Sequence, residues 1–542
     1  MKLLKHFKRP LIVLGLLFLL ALSLRVVNLS NLPNGFFTDE VVSGYVGRFV
    51  LQNGVDPYGN VFPLFYFDKF GDFRVILPMY ITGIFTFLFG STEFAVRFPV
   101  ALSGALLVFP LYYFVVELTK NKKIALVSSL FAAILPWHIV LSRAQSEGII
   151  GLTVFVTALF LLVRSIRLKN KKYLVFAVLL CASTYLLYPN FRLLSPLAVF
   201  PALFLVKERR WRMYIIAAGT ILLVFTALVL QTNWGKGRYD QTSFFGSREI
   251  AGQIQSSIDA GTSPDPSVFV ARVHHNKPLL YVKELTNRYF EYFSPQFLFL
   301  NGGLPYRYTI PNVGLIFITF SIFYLSFAFL SRNTKDNSSL FLLSLLLISP
   351  LPSLATIDDV PNINRALFMT VPLVVIAAIG AISLIESFGK FKKLLVAVFF
   401  LVILGEAMYI GHQYVYHAET FKSVLRQDQF RELSRFVVDQ HSNYSKVYLP
   451  VYETLPVYYA YYSENYDRKL AGKFKYGLVI DQIDNVVFVK DMCPAKLLGK
   501  DYFEKGSLII QSGECHAEEG FIEEQKFMRR DSTEAFRVLR VE

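Results

Sequence analysis

Apolar residues in this chain gather into runs. Nearly uncharged stretches lie near 11–29, 96–118, 124–141, 149–165, 173–188, 193–206, 213–231, 312–331, 338–355, 366–385 and 394–411. A run of about 17 residues or more is long enough for a helix to cross a bilayer. The pattern predicts an α-helical polytopic membrane protein with about eleven transmembrane helices. Past residue 411 the runs shorten and charge becomes frequent. There Lys446–Val451, Asn485–Val489, Ser507–Ile510 and Phe536–Leu539 read as short strands. Residues 428–440 have the apolar spacing of a helix. The expected organisation is a transmembrane domain over 1–411, with large outer loops at about 30–95 and 232–311, and a small α/β extracytoplasmic domain over 412–542.

A further apolar run at roughly 75–90 decides the topology. Basic clusters stand at Lys2/Lys5/Lys8/Arg9, Lys120/Lys122/Lys123, Arg164/Arg167/Lys169/Lys171/Lys172, Lys207/Arg209/Arg210/Arg212, Arg332/Lys335 and Lys390/Lys392/Lys393. Lys and Arg collect in cytoplasmic loops. All the clusters fall on one side only if the 75–90 run does not cross, because two spans then separate each consecutive pair. This run is expected in the interface, or dipping in and returning. Its flank Phe70-Gly71-Asp72-Phe73-Arg74 suits a helix lying near the headgroups. The N-terminus is then cytoplasmic and the C-terminal domain outside, in a multi-pass plasma-membrane protein. The first run follows basic residues as a signal peptide would, but no A-x-A-like site closes it, so it is read as a retained span.

Composition agrees. Hydrophobic residues make up 54% and charged residues 18%, against about 25% charged in a soluble domain. The net charge of +15 follows from topology, and no basic soluble face points to nucleic acid. Cys181 falls in a span and reads as a small buried residue. Cys493 and Cys515 lie in the outer tail, where a disulfide is expected and two free thiols are the alternative.

Three groups of residues bear chemistry. Phe36-Phe37-Thr38-Asp39-Glu40 follows the first span and sets two carboxylates at the membrane surface. They are candidate catalytic groups; the structural alternative is a helix N-terminus with acids in its first turn. Arg143 and Glu147 follow Pro136-Trp137-His138, with an interfacial Trp and an i,i+4 pair as the structural alternative. His138 reads as structural. Arg74, Arg192, Arg307 and Arg365 lie on the outer side, where arginine is disfavoured. A phosphate accounts for them, since guanidinium binds its oxygens bidentately; lipid headgroups are the alternative. No zinc pattern, phosphate-binding Gly loop or dinucleotide fingerprint occurs in a credible context.

The ordered series resembles the GT-C superfamily of membrane glycosyltransferases, in the branch of protein O-mannosyltransferases and lipid A aminoarabinose transferases. It comprises Phe37-Thr38-Asp39-Glu40, Asn53-Gly54-Val55-Asp56-Pro57-Tyr58-Gly59, Gly71-Asp72-Phe73-Arg74, Phe94-Ala95-Val96-Arg97-Phe98-Pro99 and Pro136–Arg143 with Glu147. The resemblance covers roughly the first 200 residues. It implies a polyprenyl-phosphate sugar donor, inversion at the sugar, and an acidic base in the first outer loop, which falls on Asp39. The family's second acidic position is often Asp and here is Glu147. Tyr188, in the turn Tyr188-Pro189-Asn190-Phe191-Arg192, joins Arg74, Arg143, Arg192, Arg307 and Arg365 as a candidate substrate-binding residue. The sugar is left open, as is the acceptor, which is a protein, lipid or glycan. A divalent metal ion stays open too, since some such enzymes use one and others do not. The rival reading is a transporter or flippase of lipid-linked sugars. It would place ionisable groups mid-span and show inverted repeats, whereas these charges lie at span ends.

Overall fold

Each of the apolar runs overlaps a helix in the computed structural model, which describes residues 2–69, 72–236, 243, 248–261, 268–330, 336–354, 356–357, 359–452, 454–516 and 519–541. Phe70, Gly71, Asp358 and the cluster Arg332/Lys335 lie outside the described residues. Among the described residues, six helices are long and apolar enough to cross a membrane: Glu93–Thr119, Glu147–Leu168, Arg209–Leu230, Asn337–Leu354, Leu367–Ser387 and Gly389–His417. Lys122–Ile134 and Pro136–Arg143 make a seventh if the pair, bent by 50°, is one span. Length and composition therefore give fewer crossings than the eleven expected.

The breaks have local causes. Leu135 precedes Pro136 and is extended, at φ −62° and ψ 120°, because a residue before proline is pushed out of the helical region. Pro136 then starts the next helix, where its missing N–H costs nothing. Farther on, Phe191–Val199 tightens into the 3₁₀ turn Phe200–Leu205 around Pro201, leaving a shorter apolar helix. Asn121 and Asn170 cap helices Lys122–Ile134 and Lys171–Ser183 by accepting from backbone N–H groups in their first turns.

The first loop segment folds into a helix, a hairpin and a second helix. Helix Thr38–Asn53 ends at Gly54, whose φ of +74° closes the C-cap. Strands β1 (Tyr66–Lys69) and β2 (Asp72–Val75) pair antiparallel, with Phe67 opposite Arg74. The flank expected to accompany an interfacial helix is thus a strand, because Phe73 and Val75 alternate with polar neighbours at a period of two. The 75–90 run itself becomes helix Leu77–Phe89, 13 residues long. At 1.5 Å per residue it rises about 20 Å, short of the ~30 Å hydrocarbon core. It crosses Thr38–Asn53 where Gly47 and Gly83 meet; a Cβ on Gly47 would stand 1.9 Å from the Met79 carbonyl oxygen.

The tail is a small α/β unit. Its strands are β3 (Val447–Pro450), β4 (Gln482–Ile483), β5 (Val486–Val489), β6 (Leu508–Ser512), β7 (Phe521–Met528) and β8 (Glu534–Val541), in the order β4-β5-β3-β6-β8-β7. β3 runs parallel to β5 and β6; the other pairs are antiparallel. The expected helix is Phe430–Gln440, and a second, Leu455–Tyr462, follows β3. Cys493 and Cys515 are bonded, with Cα atoms 5.6 Å apart. The unit does not stand apart from the first loop segment. Val41, Tyr45 and Phe49 of helix Thr38–Asn53 share one buried cluster with Leu433, Leu449, Tyr458 and Val486.

Candidate active site

Asp39 lies in the first turn of Thr38–Asn53, at the end that meets the helical bundle. Its Oδ1 is 2.7 Å from Lys69 Nζ, and its Oδ2 is 3.2 Å from Arg74 Nη2 and 3.8 Å from Arg307 Nη2. The hairpin register explains two of these contacts. Arg74 pairs with Phe67, and Lys69 lies two residues on from Phe67, so both cations project from one face. Arg307 follows the loop Asn301–Pro305 and stacks on the Phe37 ring at 4.0 Å. Burial opposes ionisation of Asp39, but Arg74, Lys69 and Arg307 outweigh it and hold the carboxyl well below the usual carboxylate range.

Arg74 also reaches Glu147, with Nη1 4.0 Å from Oε1. Glu147 opens helix Glu147–Leu168. Two cavities share the wall formed by Arg74, Glu147, Tyr188 and Arg365. The first, of about 310 Å³, continues along Val75, Leu193 and Leu230 and also takes in Arg192. The second, of about 280 Å³, is polar and contains Asp39, Arg307, Asn362 and Asn364.

Arg365 is held by its turn. Asn362 Oδ1 accepts from the backbone N–H of Asn364 and of Arg365, both at 2.9 Å. Arg365 Nη1 donates to Thr356 Oγ1 at 2.6 Å, and Asn190 Nδ2 donates to the Arg365 carbonyl at 3.0 Å. Arg192 stacks over Trp234 at 4.3 Å.

Two expected site residues face elsewhere. Glu40 is buried and turned from Asp39, since consecutive helical residues diverge by about 100°. Its carboxylate takes Arg97 Nε at 2.8 Å and Nη2 at 2.9 Å, and accepts from the Phe37 N–H at 2.9 Å, as an N3 acid does in a capping box. Arg143 donates to the carbonyls of Leu24, Val27 and Leu32 at 2.8 to 3.1 Å, fastening the end of the first helix. The helix breaks at Ala144, so Arg143 and Glu147 diverge instead of pairing at i,i+4. His138 is buried against Arg25, with Nδ1 2.9 Å from Arg25 Nη2.

Lys69 is absent from the candidates that the sequence yields, although it is the cation closest to Asp39. It lies in the same expected outer loop as Arg74, and the signal that singles out the outer arginines applies to it equally. Among the described residues no three of His, Cys, Asp and Glu gather as metal ligands. Asp39 and Glu147 both stand beside cations, Asp39 at Lys69 and Arg74 and Glu147 at Arg74.

Residues 74–234 match the model of the dolichyl-phosphate-mannose-protein mannosyltransferase family, a segment that begins at Arg74 and so excludes Asp39. The chain is similar in fold to ArnT from Cupriavidus metallidurans bound to undecaprenyl phosphate, at 13% identity and a TM-score of 0.50, covering 97% of each chain. It also resembles an oligosaccharyltransferase from Archaeoglobus fulgidus tethered to an acceptor peptide, at 14% identity and a TM-score of 0.47, covering 93% of this chain and 69% of that one. Against the apo form of that archaeal enzyme it spans 64% of the length. No curated protein matches the sequence.

Proposed function

We propose that the protein transfers a sugar from a polyprenyl-phosphate carrier to a hydroxyl or amine acceptor on the outer face of the membrane. The observation that carries this is Asp39, ringed by Lys69, Arg74 and Arg307, in a polar chamber that shares a wall with an apolar one. The ArnT structure of similar fold holds undecaprenyl phosphate, the class of carrier proposed here.

The phosphate sits at the shared wall. Arg74 and Arg365 face it, Arg192 lies deeper in the apolar chamber, and Leu193 and Leu230 line the path for the first isoprenoid units. The sugar then projects toward Asp39. The acceptor oxygen attacks the anomeric carbon opposite the phosphate, the carbon–oxygen bond to phosphate breaks, and configuration inverts. The acceptor proton passes to Asp39, and the electron pair leaves with polyprenyl phosphate, stabilised by the guanidinium groups. A phosphate leaving group needs less acid assistance than a glycosidic oxygen, so one carboxylate suffices as base.

The cations around Asp39 fit this sequence of events. In the resting site they make it a weak base. A donor phosphate drawing Arg74 away lowers the positive field and restores basicity when donor is bound. Glu147, on the other side of Arg74, keeps that guanidinium at the shared wall.

The test is purified protein with radiolabelled polyprenyl-phosphate sugar. Transfer or release of label is expected; movement of the lipid without chemistry would favour a flippase. Asp39→Asn keeps size and removes basicity, and is expected to cut transfer by at least about 10²-fold with folding and donor binding preserved. Were Asp39 only a helix cap, Asn would serve equally and the rate would survive.

A further inference from the structure

An uncharged row, Val61-Phe62-Pro63-Leu64-Phe65-Tyr66-Phe67, leads from helix Thr38–Asn53 into the hairpin. Phe67 is buried, but Val61 is 75%, Phe62 52%, Leu64 70% and Phe65 53% exposed. The backbone is pinned in this posture. Val61 forms a β-bridge with Val55, and the Phe62 N–H donates to the Gly54 carbonyl at 3.0 Å. Large apolar side chains held outward in a row are unfavourable in water and mark a contact surface.

Two contacts set the height of the row. On one side, the Phe65 ring lies 5.4 Å from that of Trp234, and Tyr66 packs on the cluster of Tyr185, Val229 and Trp234. Val229 is the last residue but one of helix Arg209–Leu230, which is long and apolar enough to cross a membrane. On the other side, the Tyr80 hydroxyl donates to the Pro63 carbonyl at 3.0 Å. Tyr80 belongs to helix Leu77–Phe89. The far end of that helix sets the rings of Phe85 and Phe89 at 5.6 and 6.3 Å from Phe98, in the first turns of the span Glu93–Thr119. Leu64 lies between the two anchors. It is therefore level with the ends of two spans, at the end where Arg97 meets Glu40.

The surface continues along the helix. Tyr80, Ile84, Phe87 and Leu88 recur at i, i+4, i+7 and i+8, and the last three are exposed. Met79, Thr82, Gly83 and Thr86 form the buried face on the other side. Neither 57–67 nor Leu77–Phe89 contains a charged residue. A contact with another protein in water has a polar rim. A surface uncharged along its length and joined to span ends is matched by lipid.

We infer that Val61–Phe65 enters the lipid leaflet at this end of the spans, with Leu64 at the boundary of the hydrocarbon. The partner is membrane lipid, met at the glycerol and upper acyl region. Trp234 also stacks on Arg192, which lines the apolar chamber, so the inserted row stands beside that chamber.

The test uses full-length protein in lipid nanodiscs. Cys181 is buried and Cys493 and Cys515 are bonded, so Leu64→Cys supplies the accessible thiol for a nitrobenzoxadiazole fluorophore. Lys505→Cys, exposed on the C-terminal unit, is the reference. A phospholipid with a nitroxide near the glycerol end of its acyl chain is expected to quench the label at position 64 at least about threefold more than the label at position 505, since interfacial segments are buried about 5–10 Å. Iodide in the water is expected to act in the opposite order. Equal quenching of the two labels by iodide would place the row in water and overturn the proposal. Protection of the label at position 64 from both quenchers would assign the surface to a protein contact and overturn it as well. Val61→Cys gives the same reading if the labelled Leu64→Cys protein does not fold. No measurement here involves a sugar donor, so the result stands whether or not the protein transfers sugar.

Discussion

At the scale of residues, Asp39 and Glu40 stand side by side in sequence yet meet different surroundings. Asp39 faces three cations at the edge of a cavity. Glu40 is sealed against Arg97, which is itself fully buried and also donates to the carbonyls of Leu29, Pro33 and Gly35. Removing one partner of such a pair leaves an uncompensated buried charge, a loss of about 3–5 kcal/mol. Glu40→Gln is therefore expected to lower the thermal midpoint sharply, with transfer per folded molecule close to native. Asp39→Asn should lose transfer per folded molecule even where the protein stays folded. Thermal unfolding and transfer assays on the same two preparations separate the roles; a Glu40→Gln protein of native stability that fails to transfer sugar would give Glu40 a part in the chemistry.

At the scale of elements, the Asp39 helix is positioned by the crossing at Gly47 and Gly83. A Cβ on Gly83 would lie 2.3 Å from the Gly47 carbonyl carbon, so neither position has room for a side chain. Gly47→Ala forces the crossing apart and is expected to destabilise the protein by about 1–3 kcal/mol, as overpacking does, and to reduce transfer by shifting Asp39. A thermal midpoint equal to native would show that Leu77–Phe89 is not wedged there. The same short helix bears on topology. If 75–90 does not cross, cysteines introduced beside Lys122 and Lys171 are cytoplasmic. They should resist an impermeant thiol reagent added from outside and react after permeabilisation; labelling in intact cells would reverse the orientation.

At the scale of the whole molecule, the helix that carries Asp39 is part of the C-terminal unit's core. Tyr45 stacks on Tyr466 at 5.3 Å, and the Tyr458 hydroxyl donates to the Phe36 carbonyl. Loosening the sheet should therefore be felt at the site. The Cys493–Cys515 bond closes a separation of 22 residues, for which loop closure gives about 3 kcal/mol. Replacing both cysteines with serine is expected to speed proteolysis of the tail and to lower transfer at elevated temperature, with full activity retained when cool. Identical protease resistance with and without the bond would mean that the sheet holds without it.

The sequence by itself determined the membrane class, the helical runs, four of the tail's strands and the series that contains Asp39, Arg74 and Glu147. These are local signals: uncharged length, period-two alternation, and charges at span ends on the disfavoured side. The two strands it did not yield have weak signals. Gln482–Ile483 is two residues long, and Phe521–Met528 is an edge strand rich in exposed charge. Tertiary structure decided which charges meet. Lys69 reaches Asp39 only through the hairpin register, Glu40 and Arg143 turn inward only because the chain around them is buried, and Gln427 comes to Thr38 across 389 residues. A side chain's direction and partners follow from packing between distant segments, and no spacing along the chain encodes them.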